Sequence, residues 1–347
     1  MTNSTWKNVV RGVAIGDAWG DPVEFRKIAS IIKDDLRGPD MPDRMRITDD
    51  TQMTLFLADA LDLTSEASVA DTQAAIEKAF LAYHGDPDTG SRAPGVTVMG
   101  SLGGIARGAA WQKATNRTSD GSGTVMRTSP VAFVSDDRWV GVAAFAAAIT
   151  HGSANGIAAA ILNVAVLRAI MAGKVSQGNT IDAARVMASD PASYGLLNVG
   201  EWLDGYDVDI APGFAELARL LDIAAKALPE LRTNPWAPNS DPSLHIGGGG
   251  WRAHETLVIA LLAADMFPGE PWEALRRSVA SDGDSDTIGA VTGGILGALY
   301  PSVFTDAWPD LRERFEDRYV AWIENEADDY VFAPAQPSWW RRLLRVR

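Results

Sequence analysis

Three aspartates at alternate positions, Asp282, Asp284 and Asp286, run directly into an apolar, glycine-studded stretch that ends at Tyr300. Ile288, Val291, Ile295 and Leu299 recur there at helical spacing with no charge among them, which predicts a buried helix. Carboxylates at the start of a buried helix are costly unless neutralised; the helix dipole supplies about half a positive charge and a bound cation supplies more. A second cluster lies far upstream, where Thr48, Asp49, Asp50 and Thr51 open a segment with Met53, Phe56, Leu57, Ala60 and Leu61 on one face. Taken singly, each cluster also reads as an ordinary helix N-cap. If the two meet in space, Asp49, Asp50, Asp284 and Asp286 carry the charge that two divalent cations would balance, and oxygen-only ligands favour Mg2+, Mn2+ or Ca2+ over zinc.

Two lookalikes fail or weaken. Asp282, Asp284 and Asp286 match the first, third and fifth places of a calcium-binding helix-loop-helix loop. The sixth and twelfth places hold Thr287 and Gly293 instead of the required glycine and glutamate. The D-S-D-T piece also resembles an aspartyl-phosphate motif, which should end a hydrophobic strand; Arg276–Ser281 is not one.

The elements that must position these residues read as helices. With 347 residues and 46% hydrophobic content, the chain can bury a large core. Periodicity predicts helices over Thr5–Trp19, Thr51–Leu61, Asp71–Tyr83, Val96–Ala109, Trp139–Ile149 and Ser153–Ala172. It predicts six more over Ile181–Ala188, Pro212–Ala227, Ala253–Asp265, Pro271–Ala280, Thr287–Tyr300 and Pro309–Asn325. The expectation is a single all-α domain, spanning residues 1–330. The apolar runs Gly141–Thr150 and Ile157–Ala172 are interrupted or flanked by His151, Asn155, Asn163 and Arg168 and read as core helices.

A net charge of −14 argues against direct nucleic-acid binding. The absence of cysteine rules out disulfides and thiol ligands and fits a cytoplasmic setting. The N-terminal residues lack the apolar core of a signal peptide. Ser338–Arg347 forms a basic, aromatic tail within residues 331–347. The expectation is that Trp339, Trp340, Leu343 and Leu344 dock on the acidic body; an anionic membrane surface is the alternative.

Smaller motifs complete the set. Gly12, Gly16 and Gly20 recur every fourth position, a spacing that lets another helix approach closely; Asp17, Asp21 and Glu24 are the acids of that stretch. Arg92–Thr97 and Gly121–Arg127 are glycine turns leading into helices, natural seats for a phosphate or diphosphate, although most such turns bind nothing. His151 lies between two long helices and reads either as a satisfied core histidine or as a site residue. The Gly247–Trp251 loop suggests flexibility or close backbone approach to a ligand.

In this order the stretches GVAIGDAWGDPVEF, TDDTQMTLFLADAL, RAPGVT, GSGTVMR, THG, ETLVIALLAAD and DGDSDTIGAVTGGILGALY resemble the ADP-ribosylglycohydrolase family. The resemblance implies an all-α, single-domain orthogonal helical bundle with a dinuclear metal cleft, in which two Mg2+ (or Mn2+) ions are held by Thr48, Asp49, Asp50, Asp284, Asp286 and Thr287. It implies catalytic roles for Glu24, Asp49 and Asp50, with Glu24 at the place of the family's mobile glutamate. ADP-ribose contacts are implied for Gly95, Thr97, Gly121, Ser122, Gly123, Met126 and His151. Asp282 adds a charge where the family often has glycine, Ser122 and Val96 stand where asparagine is frequent, and Ala93 stands where one branch has a catalytic acid. The implied activity is metal-dependent hydrolysis of ADP-ribose from a modified protein side chain, arginine foremost, reversing a toxin's or a regulatory modification. The alternatives are a non-catalytic ADP-ribose binder and a metal-dependent phosphatase.

Overall fold

The structure, a computed structural model, describes residues 3–31, 38–62, 67–134, 138–237 and 239–329. The tail at 331–347 lies outside the described residues.

Glycine spacing sets the central contact. The first helix, Asn3–Gly20, lies against the Ser285–Leu299 helix, and both present glycine every fourth residue. A Cβ built on Gly12 would overlap the carbonyl oxygen of Gly293, and one on Gly16 would overlap that of Gly289. At the far end Asn8 Nδ2 donates to Gly297 O at 2.8 Å, while its Oδ1 accepts from the amides of Phe304 and Thr305 at 2.8 and 2.9 Å. The expected close approach of another helix at Gly12, Gly16 and Gly20 is therefore present.

Around this pair the fold is helical, and among the described residues only isolated bridges represent β structure. The Ala154–Met171 and Ala253–Met266 helices are buried on nearly all sides, so their sequences show no polar face. Ala154–Met171 is long and apolar enough to cross a membrane by composition, but 78% of it is buried within the protein, as expected of a core helix. The Ala211–Thr233 helix is amphipathic and packs its Phe214, Leu217, Leu221 and Leu228 face towards Thr180–Ser189, Ala154–Met171 and Ala253–Met266.

Most helices fall where periodicity puts them, with two departures. The Ala211–Thr233 helix continues past Ala227 through Pro229, because burial of Leu228 and Leu231 sustains it. The span Pro309–Asn325, expected as one helix, is two: Val303–Leu311 and Asp317–Asp329, joined by a 3-10 turn at Arg312–Arg314. Pro309 lies inside the first of these rather than at the start of a helix.

Candidate metal centre

The two acidic segments meet. The Asp49–Asp62 helix and the Ser285–Leu299 helix bring their first turns together: Thr287 Oγ1 donates to Asp50 Oδ2 at 3.3 Å, across 237 residues of chain. Thr48 Oγ1 donates to the same oxygen at 3.2 Å. Beside this trio, ligand oxygens of Glu24, Asp284 and Asp286 all lie within 4.8 Å of one another. Thr48, Asp49, Asp50, Asp284, Asp286 and Thr287 are all buried, and Glu24 is half-buried at the edge.

Each side chain is held by identifiable partners. Asp49 is fixed by its own amide donating to Arg92 O at 2.9 Å and by the Gly95 amide donating to Asp49 Oδ2 at 3.3 Å. Arg92 is anchored in turn by a bidentate pair with Glu316, at 2.6 and 2.8 Å. Asp286 Oδ1 accepts from the Thr287 amide at 2.9 Å. The Asp284 amide donates to Gly249 O at 2.9 Å, and the loop before it is tied down where the Asp282 amide donates to Asp241 Oδ2 at 2.9 Å. Asp241 is itself half of a buried ion pair with Arg277. The Asp282 side chain turns away from the cluster to Lys27 Nζ at 3.0 Å and to the Ile28 amide, so the extra charge at this position is compensated locally.

Asp17 is the residue whose role sequence reasoning missed. It is fully buried on the first helix and caps the Asp49–Asp62 helix, accepting from the amides of Thr48 and Thr51 at 3.0 Å and from the Thr51 hydroxyl. The available signal was its place beside Gly16, on the glycine face that approaches Gly289.

The electrostatics call for cations. Among the described residues, none of Asp17, Asp49, Asp50, Asp284 and Asp286 forms an ion pair. Burial, and then repulsion from Asp286, push the carboxyls of Asp49, Asp50 and Asp284 well above the usual carboxylate range. The same two causes push Asp17 up to about 7 and Glu24 up to about 8, with Asp21, Asp49 and Asp17 adding to the effect on Glu24. Asp50 Oδ1 is buried without a hydrogen-bond partner. A buried carboxylate oxygen left open amid like charges is the donor that a hard cation fills, so this all-oxygen set suits Mg2+ or Mn2+.

The glycine turn Gly121–Gly123 adjoins the cluster. The Ser122 amide donates to Trp251 O at 3.0 Å, and the Ser122 side chain helps to offset the upward push on the Asp284 carboxyl. His151 lies beneath the turn rather than on the open surface: a Cβ on Gly123 would come 2.9 Å from His151 Cε1, and one on Gly121 3.1 Å from Nε2. Arg127 Nη2 donates to Thr150 Oγ1 at 2.7 Å, leaving that hydroxyl's proton for His151 Nδ1 at 2.8 Å. The proton of the neutral ring is thus assigned to Nε2, and burial together with Arg127 pushes the imidazole down to about 3. Met126 is buried and its carbonyl accepts from Thr54 Oγ1 at 3.3 Å, whereas Thr97 Oγ1 is within 3.2 Å of Ser119 Oγ. The Gly247–Gly250 loop makes a close backbone approach, with a Cβ on Gly249 falling 2.9 Å from Asp282 O. Ala93 is exposed at φ 55°.

Known proteins resemble this chain in sequence and fold. The profile of the ADP-ribosylglycohydrolase family matches residues 4–339, and the chain belongs to that family. An uncharacterized protein of Archaeoglobus fulgidus is 26% identical over 307 residues, covering 84% of this chain and 87% of its own length. A solved structure, an ADP-ribosylglycohydrolase-related protein complex, superposes with a TM-score of 0.57 at 22% identity, covering 94% of this chain and 97% of that one. That likeness shows the fold: the all-α ADP-ribosylglycohydrolase architecture. Family membership supports a glycohydrolase-type function.

Proposed function

We propose that this chain is a hydrolase that works with two divalent cations and releases ADP-ribose from a modified protein side chain, arginine foremost. One observation carries the reading: Asp50 and Thr287, from opposite ends of the sequence, share a hydrogen bond beside a buried carboxylate oxygen with no other partner. Thr48, Asp49, Asp50, Asp284, Asp286 and Thr287 would hold the cations, with Glu24 within reach of the same group. Bound there, Mg2+ or Mn2+ would supply charge to grip ribose hydroxyls and lower the pKa of a water.

The protein's own part follows from the side chains. Breaking a ribosyl bond builds positive charge on the ribose, which a wall of carboxylates stabilises. Asp49 or Asp50 would take a proton from water, and Glu24, half-exposed, would position substrate or pass a proton. The turn Gly121–Gly123, held by the Ser122 amide on Trp251 O, offers backbone beside the cluster for the diphosphate.

The test is incubation with Mg2+ or Mn2+ and a panel of defined ADP-ribosyl linkages, with free ADP-ribose as the readout. Release from the arginine linkage, abolished by chelator, is expected. Tight binding of ADP-ribose with no release from any linkage would replace this reading with that of a binding module.

A further inference from the structure

The Glu24 carboxylate sits among like charges without a tether of its own. Its oxygens approach those of Asp284 and Asp286, yet among the described residues no hydrogen bond or ion pair holds its side chain. A half-buried carboxylate in that position would swing out into water unless the backbone kept it turned inward. The next residue explains why it does not. Phe25 is one of two non-glycine residues with positive φ among those described, at 63°, and the residue is 72% exposed. Strained backbone of this kind persists where surrounding contacts over-determine it. Here the contacts are two: the Phe25 amide donates to Gly283 O at 3.1 Å, and the Phe25 ring stacks on Trp251, with centroids 5.2 Å apart and planes at 20°.

Trp251 is a fixed base for that stack. Its carbonyl takes the Ser122 amide, and the loop it ends packs backbone against backbone on Gly283, where Gly249 O accepts the Asp284 amide. One ring thus stands on the junction that carries Asp284 and Ser122, and the other on the residue next to Glu24.

Resting on the cation site proposed above, we infer that Phe25 and Trp251 form an aromatic latch, a pair of positioning residues that keep the Glu24 carboxylate inside the acidic cluster.

Mn2+ alone is the probe, titrated calorimetrically into chelator-stripped full-length protein, so the readout does not depend on hydrolysis. Trp251→Ala is expected to weaken Mn2+ binding about tenfold, the range set by loss of one aromatic pair. Glu24→Gln is expected to weaken it at least as much, and Glu24→Gln with Trp251→Ala no more than Glu24→Gln alone, because the indole acts through the carboxylate. Trp251→Phe keeps a ring and should retain wild-type affinity. Unchanged Mn2+ affinity in folded Trp251→Ala, or an effect that adds to that of Glu24→Gln, overturns the latch. Failure to release ADP-ribose by a wild type that shows these Mn2+ effects would count against the proposed reaction and leave the latch standing.

Discussion

Gly16 and Gly289 meet backbone to backbone: a Cβ built on either would overlap the other's carbonyl oxygen. The contact lies one residue from Asp17 and three from Asp286, so it sets the distance between the capping acid and a candidate cation ligand. Gly16→Ala or Gly289→Ala should cost about 3 kcal/mol or more, since neither backbone can retreat from the added methyl. Gly100→Ala is the contrast. That exposed helical glycine has nothing within 4 Å of an added Cβ, and the change should stabilise by about 0.5–1 kcal/mol. Denaturant unfolding measures both.

Cations should stabilise the fold. With Mg2+ or Mn2+ at about 100 times its dissociation constant, the gain is about 2.7 kcal/mol, worth several degrees in Tm. Chelator should reverse it, and Asp50→Asn should lose most of the response because it removes the charge on the unpartnered oxygen. Differential scanning calorimetry with and without the cation reads this directly.

Asp286→Asn preserves size and leaves Ile288, Val291 and Ile295 packed, so circular dichroism should be unchanged. Cation affinity should fall at least about tenfold, and ADP-ribose release with it. Excess Mn2+ should restore part of the activity. Full activity in a folded Asp286→Asn protein would contradict the assignment of this residue to the centre.

Asp17→Ala should destabilise by about 3 kcal/mol, because it strands the buried amides of Thr48 and Thr51 together. The Asp49–Asp62 helix would lose its cap, so cation affinity should drop even though Asp17 is not among the proposed ligands.

His151 gives a pH signature. Its folded pKa, about 3, lies below the ordinary histidine value of 6.5, so the neutral ring contributes stability that is complete above 6.5 and is lost as pH falls from there towards 3. The slope approaches about 1.4 kcal/mol per pH unit within that window. The carboxyls of the cluster, raised in the fold, slope the other way, so the His151 share is read as the wild-type minus His151→Gln difference between unfolding curves at pH 7, 6 and 5, which should shrink as pH falls.

Much of the fold was legible because helical periodicity survives wherever a helix has one wet face, as in Ala211–Thr233. Pro309 misled because a proline usually starts a helix, whereas here Phe304 and Trp308 bury strongly enough to hold a helix around it. The carboxylates were legible by type and by their place at helix starts. Their meeting was legible only through the charge balance of the two clusters and the family resemblance, since nothing local in Thr48–Thr51 specifies a partner such as Thr287. Asp17 stayed hidden for the same reason: its bonds run to amides 31 and 34 residues away. The Phe25–Trp251 pair was invisible because two exposed aromatics in separate loops carry no pattern at all.

The bond between Asp50 and Thr287 also fixes an order of events during synthesis. While the ribosome is still making the first three quarters of the chain, Asp49 and Asp50 exist without Asp284, Asp286 or Thr287, and Gly12 and Gly16 have no helix to lie against. The nascent chain therefore carries half a cation site and an uncovered glycine face until the Ser285–Leu299 segment emerges. Completion of the acidic cluster and closure of the first helix then become one late step, so a prematurely terminated product would lack the full carboxylate set and be open at its N-terminal helix, exposed to proteases.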